Sequence, residues 1–245
     1  MIRKILAAAL LASALTIPSF AAEGTLKVVS IDVEGGGGTL FVTPEGKSLL
    51  IDTGWPAGAG LLPSPDGAKS SATRIAAAAK KLGLSKIDYV ITTHYHMDHV
   101  GGVSDLVKRM PVGTFIDHGP NVEHDKLPPE LALGAPDTLY PKYLEVIKGH
   151  KHIVAKAGQV IQMGSMTDTI VSSNGTVLDK PLTGAGAAIA ACDSAESKSS
   201  KDIGGEENRR SVASLLRFGK VSIALFGDLS WDKERELSCP VGKLG

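Results

Sequence analysis

The sequence predicts an α/β (α+β) domain, and three observations carry that reading. Short apolar, β-rich runs recur along the chain, and several end in turns that carry Asp, Gly or His. Between them lie stretches with apolar residues at helical spacing, over 70–82 and 137–148. The 245 residues, less an N-terminal leader, make one domain with enough chain for a sizeable core.

In chain order, two β-rich runs flank the glycines Gly35 to Gly38 and read as adjacent strands joined by a flexible turn. A strand over 48–52 follows, ending in Asp52-Thr53-Gly54, then a Pro/Gly-rich loop over 55–67. The Ala-rich stretch 70–82 predicts a helix stopped by Gly83. A strand over 89–93 comes next, a short helix over 104–110 ended by Pro111, and a strand over 113–117. After the helix at 137–148, strands are predicted over 153–160 and 169–173. The stretch 183–207, rich in Gly, Ala, Ser and charge, reads as a long mobile loop. Strands over 213–218 and 221–226 and a helix over 231–237 complete the pattern.

The leader is Met1-Ile-Arg-Lys4, an apolar run over 5–17, and Pro18-Ser-Phe-Ala-Ala22. A basic start, a short hydrophobic stretch and small closing residues make a secretory signal peptide. The run is shorter than the roughly 20 apolar residues of a membrane span. The expected organisation is a signal peptide over 1–22 and one domain over 23–245, periplasmic or secreted, with no membrane segment after cleavage. Formal net charge is +0 with no basic block, so charge does not indicate nucleic acid, and a small-molecule or polymeric substrate stays open. Cys192 and Cys239 share an oxidising compartment, and the sequence leaves a bridge and two free thiols equally open.

The densest chemistry lies in Val90-Ile-Thr-Thr-His-Tyr-His-Met-Asp-His-Val-Gly-Gly102. Side chains two apart on extended backbone point the same way, so His94 and His96 can grip one ion together. Asp98 and His99 fall where the chain turns and can face a neighbouring position. Imidazoles and a carboxylate at this density suit zinc or a similar borderline cation. The chain has 7 histidines, and three of them beside an Asp within one short loop argue against ordinary loop residues.

His94-x-His96-x-Asp98-His99, after an apolar strand and before Gly101-Gly102, resembles the HxHxDH signature of the metallo-β-lactamase fold superfamily. The flanking pieces resemble its ComEC-type branch of DNA-uptake proteins and secreted relatives. Ile31-Asp32-Val33 matches the start of that branch's IDVGQGDA-like motif, from which Glu34, Gly35 and Gly37 depart, and Asn208-Arg-Arg-Ser211 resembles its NNRS-like element. The resemblance implies a four-layer αββα sandwich and a centre of two Zn2+ ions, with Mn2+ or Fe as alternatives. It places His94 and His96 on the first ion, Asp98 and His99 on the second, and Asp228 of Phe226-Gly-Asp228 between them. It also gives Asp98 a part in proton transfer and makes Asp52 a buttress of the metal-binding loop. A turn cap is the plainer role for Asp52.

Other branches of that superfamily carry a metal-binding His near Asn208, and no His follows His152 here. Asn208 offers an amide oxygen to a metal or a hydrogen bond to substrate, or simply fixes its loop. His118, just past a strand, either lines the same cleft or is a satisfied loop histidine. His124, His150 and His152 read as solvated. Relatives continue into a further His-bearing strand, so the C-terminal half of the sandwich is expected to be incomplete and the chain truncated. The implied function is a metal-dependent hydrolase that directs a metal-activated water at an ester, lactone, amide or phosphodiester. The alternatives are a non-catalytic metal- or partner-binding domain, or a truncated inactive form of a hydrolase.

Overall fold

The computed structural model describes residues 24–57, 70–124, 132–199 and 204–244. The signal peptide expected over 1–22 and positions 58–67 of the expected loop lie outside the described residues.

The first sheet runs β1 (Lys27–Ser30), β2 (Thr39–Val42), β3 (Ser48–Ile51), β4 (Ile87–Ile91), β5 (Val112–Asp117) and β6 (Lys151–Val154), in that spatial order. The first three strands pair antiparallel, and β3 to β6 pair in parallel. The crossovers of the parallel part are helical. Helix α1 (Ser71–Lys81) starts at Ser70, whose side chain accepts from the Thr73 N–H, and Gly83 beyond its end takes φ +83°. Two one-turn helices, α2 (Met97–Val100) and α3 (Val103–Leu106), follow β4. Helix α4 (Pro136–Ile147) opens on a proline and buries Leu139, Tyr143 and Ile147 along one stripe.

Side chains of β3, β4 and β5 alternate between two cores, as a strand period of two requires. Leu50, Val90 and Phe115 face Ile75, Ala79, Leu106 and Tyr143 of the helices. Leu49, Ile51, Ile91 and Ile116 face the second sheet. That sheet has the order β11-β10-β8-β7: β7 (Val160–Met163), β8 (Met166–Ser173), β10 (Ala213–Phe218) and β11 (Val221–Leu225), with the short β9 (Thr176–Val177) paired to β8. It presents Met163, Met166, Ile170 and Leu216 to the shared core. Its outer face packs Val171, Ala213 and Leu215 against Leu237 of α7 (Trp231–Ser238).

The expected incompleteness of the C-terminal half is overturned. β10, β11, α6 (Glu206–Arg210) and α7 are all present, and both faces of the second sheet are covered in the described residues. Partly buried Ile223 and Leu225 of β11 pack on the inter-sheet core. Two local expectations are also corrected. The strand read over 153–160 is two strands, because Gly158 (φ +86°) turns the chain from the first sheet into the second. The stretch 183–207 is no bare loop where it is described. It holds α5 (Ala195–Lys198) and the start of α6, and the disulfide Cys192–Cys239 ties it to the end of α7.

One buried group works against the fold. Asp168 of β8 is fully buried, and Ser214 Oγ donates to its Oδ2 at 3.1 Å while Oδ1 has no partner among the described residues. Burial pushes its carboxyl up from 3.8 to about 7, against the Ser214 hydrogen bond that favours the charged form. A raised carboxyl pKa means stability is highest below the unfolded value and falls as pH rises toward 7. Above that the buried charge costs on the order of 4 kcal/mol. Asp168→Asn is therefore expected to raise the melting temperature at pH 8 and to change it little at pH 4; equal melting temperatures at pH 8 would contradict this.

Candidate metal centre

The site forms where the parallel strands of the first sheet end and the second sheet meets them. Asp52 follows β3, the histidine loop follows β4, and His118 follows β5. From the other sheet, Ser211 precedes β10 and Asp228 follows β11. The Val212 N–H donates to the Thr93 carbonyl at 2.9 Å and fastens the two sheets together at this point.

Asp52 is the anchor. It is 1% exposed and sits at φ +61°, a left-handed conformation that Asp tolerates better than most residues. Its Oδ1 accepts the Thr93 N–H at 2.8 Å, and its Oδ2 accepts the Thr93 hydroxyl and faces His99 Nδ1, each at 2.8 Å. The carboxylate thus holds His99 from behind and leaves Nε2 directed at Asp228 Oδ1, 3.3 Å away, and Asp98 Oδ2, 3.7 Å away. Because the one Thr93 hydroxyl proton goes to Asp52, Thr93 Oγ1 can only accept from His94 Nδ1 at 3.0 Å. His94 Nε2 is then bare, and it lies 3.0 Å from His96 Nδ1.

The glycine run forms a packing seam under this loop. Gly37 N–H donates to the Asp98 carbonyl at 3.1 Å. A Cβ on Gly36 would stand 2.0 Å from that same oxygen, and one on Gly37 would stand 2.5 Å from Asp52 Oδ2. Gly227 (φ +57°) likewise sits against the Thr93 side chain, which lets the Asp228 turn close over the histidines. A cleft of about 390 Å3 opens beside Gly38, Asp98, Phe226 and Asp228.

His94, His99 and Asp228 each offer a ligand atom, and these atoms lie within 4.8 Å of one another. Two imidazoles and a carboxylate are the donor set of a borderline divalent cation, so the residues fit the expected metal. Burial, then the neighbouring His99, His96 and His118, pushes His94 well below the usual imidazole range, so it is neutral, as a ligand must be. Burial opposes a charge on His99, but the Asp52 and Asp228 carboxylates outweigh it and raise His99 to about 10. The His99 hydrogen bond holds Asp228 below the ordinary carboxylate range despite partial burial.

Of the other residues singled out from sequence, Asp98 stands beside His99 with its side chain 30% exposed. His118 is fully buried, and its Nε2 donates to Glu207 Oε2 at 3.0 Å. Asn208 lies in α6 with its Oδ1 buried and without a partner among the described residues. His152 is exposed, as expected, and also bonds the buried Asp117 at 2.7 Å, while His124 pairs with Asp137 at the surface. Sequence reasoning missed Glu207 and Glu123. Both Oε atoms of Glu207 are used: Oε2 also accepts the Tyr95 N–H at 3.0 Å, and Oε1 accepts the Val122 N–H at 2.9 Å. It reads as one of two adjacent acids in a polar stretch, and no pattern marks which is buried.

A family model described as the metallo-beta-lactamase superfamily matches residues 34–170. No curated protein matches the chain. Similar solved structures include a metallo-beta-lactamase of Cronobacter sakazakii with a HARLDQ motif, at 17% identity over 78% of this chain and 55% of that one, TM-score 0.42. MEM-A1, a subclass B3 metallo-beta-lactamase from a soil metagenome library, has 18% identity over 84% and 60%, TM-score 0.42. The metallo-beta-lactamase fold protein YhfI from Bacillus subtilis has 16% identity over 82% and 60%, TM-score 0.40. The chain spans less than two thirds of the length of each.

Proposed function

The chain belongs to the metallo-β-lactamase superfamily, and from that membership we propose that it is a metal-dependent hydrolase. The observation that carries the reading is the convergence of His94, His99 and Asp228 within 4.8 Å. When bound, an ion of this kind lowers the pKa of its water toward neutrality and polarises an acceptor oxygen. The chain's own part is to hold and orient. Asp52 fixes His99, Thr93 fixes His94, and Asp228, whose side chain is 45% exposed, offers its carboxylate to the cleft. Asp98 faces the same cleft and can take or return a proton.

In its finer form the proposal has two ions, zinc with manganese or iron as alternatives. His94 and His96 would hold the first, Asp98 and His99 the second, and Asp228 would serve both. The substrate class is an ester, lactone, amide or phosphodiester. Ile31-Asp32-Val33 and Asn208-Arg-Arg-Ser211 favour the ComEC-type branch, and with it the phosphodiester. The leader and the Cys192–Cys239 bridge favour a periplasmic or secreted protein. No described helix is long and apolar enough to cross a membrane.

The test is metal analysis of zinc-loaded protein together with turnover of generic aryl esters and bis(p-nitrophenyl) phosphate. Bound metal, with turnover that chelation removes and zinc restores, is the expected result. Protein that retains no ion overturns the metal centre, and bound metal without turnover of any substrate class overturns the hydrolase.

A further inference from the structure

We propose that Glu123 is a positioning residue of the metal centre: its carboxylate holds His96 from behind and leaves His96 Nδ1 bare toward His94. The proposal rests on the metal reading above and names a residue that this reading does not require.

The geometry is direct. Glu123 Oε1 lies 3.3 Å from His96 Nε2, on the far side of the ring from His94. An ionised carboxylate only accepts, so the hydrogen of a neutral His96 belongs on Nε2. That leaves Nδ1 bare, facing the bare Nε2 of His94 across 3.0 Å. Two lone pairs directed at each other are unfavourable in the protein alone and favourable around a cation. Glu123 would thus do for His96 what Asp52 does for His99, from the opposite wall of the site.

Glu123 is also built into place. Asn121 clamps its backbone at both ends, accepting the Glu123 N–H at 3.1 Å and donating to the Glu123 carbonyl at 2.9 Å. The same Asn121 amide donates to Asp137 of α4 at 3.0 Å. Glu123 Oε2 accepts the Glu207 N–H at 3.2 Å, so the second carboxylate oxygen is occupied as well. A Cβ on Gly205 would stand 2.0 Å from Oε2, so the carboxylate fills the space where that side chain would be.

Gly205 supplies a second way to test the idea. Its φ of −67° is open to any residue, so alanine there strains no backbone and only displaces the end of the Glu123 side chain. The experiment compares wild type, Glu123→Ala, Glu123→Gln and Gly205→Ala. It measures zinc affinity by competition with a chromogenic chelator and the His96 tautomer by 15N NMR of metal-free protein. Thermal melting reports on the fold. Glu123→Ala and Gly205→Ala are expected to weaken zinc binding by roughly 10–100-fold. Glu123→Gln, which keeps one acceptor oxygen, recovers part of that loss. Wild-type His96 should carry its hydrogen on Nε2, and Glu123→Ala should lose that preference.

Wild-type affinity in both alanine variants overturns the proposal, as does an unchanged His96 tautomer in Glu123→Ala. If Glu123→Ala does not fold, Gln and Gly205→Ala decide the matter alone. Wild type that binds no zinc would defeat the metal reading instead, and the tautomer measurement would still decide whether Glu123 sets His96.

Discussion

His94→Ala is expected to lower bound zinc by about half or more in metal analysis, while His124→Ala leaves it unchanged. His94 is fully buried, stands in van der Waals range of both other imidazoles of the loop, and shares the 4.8 Å cluster with His99 and Asp228. Its loss takes away the neutral nitrogen of the set and leaves His99, which holds its own proton tightly between Asp52 and Asp228. An ion would then have to displace that proton with no second imidazole in the triad to help. His124 is 67% exposed and, among the described residues, pairs with Asp137, so it serves as the control. Full zinc content in His94→Ala would remove the centre from this loop.

The second large effect is on stability. Glu207→Ala should lower the unfolding free energy by about 3–5 kcal/mol, the usual range when one member of a buried pair is removed. Both Glu207 and His118 are 0% exposed, and the carboxylate is also the acceptor for the Tyr95 and Val122 N–H groups. Burial raises the Glu207 carboxyl, but the His118 hydrogen bond and charge and the two backbone donors outweigh it. The net shift is downward from 4.5. For a depressed carboxyl the stabilisation is present above the unfolded pKa and is lost as pH falls through the folded one. Wild type should therefore lose stability faster than Glu207→Ala below about pH 4.5. Denaturant melts at pH 7 and at pH 3 measure this directly. Parallel pH dependence of the two proteins would show that Glu207 is not the ionised acceptor described.

Much of this arrangement was legible from residue order. Asp52 and the histidine loop stand at strand ends, and the spacing of His94 and His96 already places two imidazoles on one side of extended backbone. The α1 and α4 helices and the β10–β11 hairpin fall within a residue or so of where periodicity puts them. What could not be read is contact across sequence distance. Glu207 meets Tyr95 over 112 residues, and Glu123 meets His96 over 27, through loops with no periodicity. The glycine run gave the opposite error: a composition that suits a flexible turn serves here for close approach of Gly36 and Gly37 to Asp98 and Asp52. The expectation of an incomplete C-terminal half rests on resemblance, whereas the packing of Ile223, Leu225 and Leu237 against the two cores is a matter of contacts that residue order does not show.

Cys192 and Cys239 close a covalent ring whose ends are 47 residues apart, and Glu207, Ser211 and Asp228 all lie inside it. A ring of that size lowers the freedom of the denatured chain by an amount equivalent to about 4 kcal/mol. The tether therefore acts on the state in which the site does not exist. Thiol reductants would make the protein easier to melt, while the folded remainder keeps the same groups facing the same cleft.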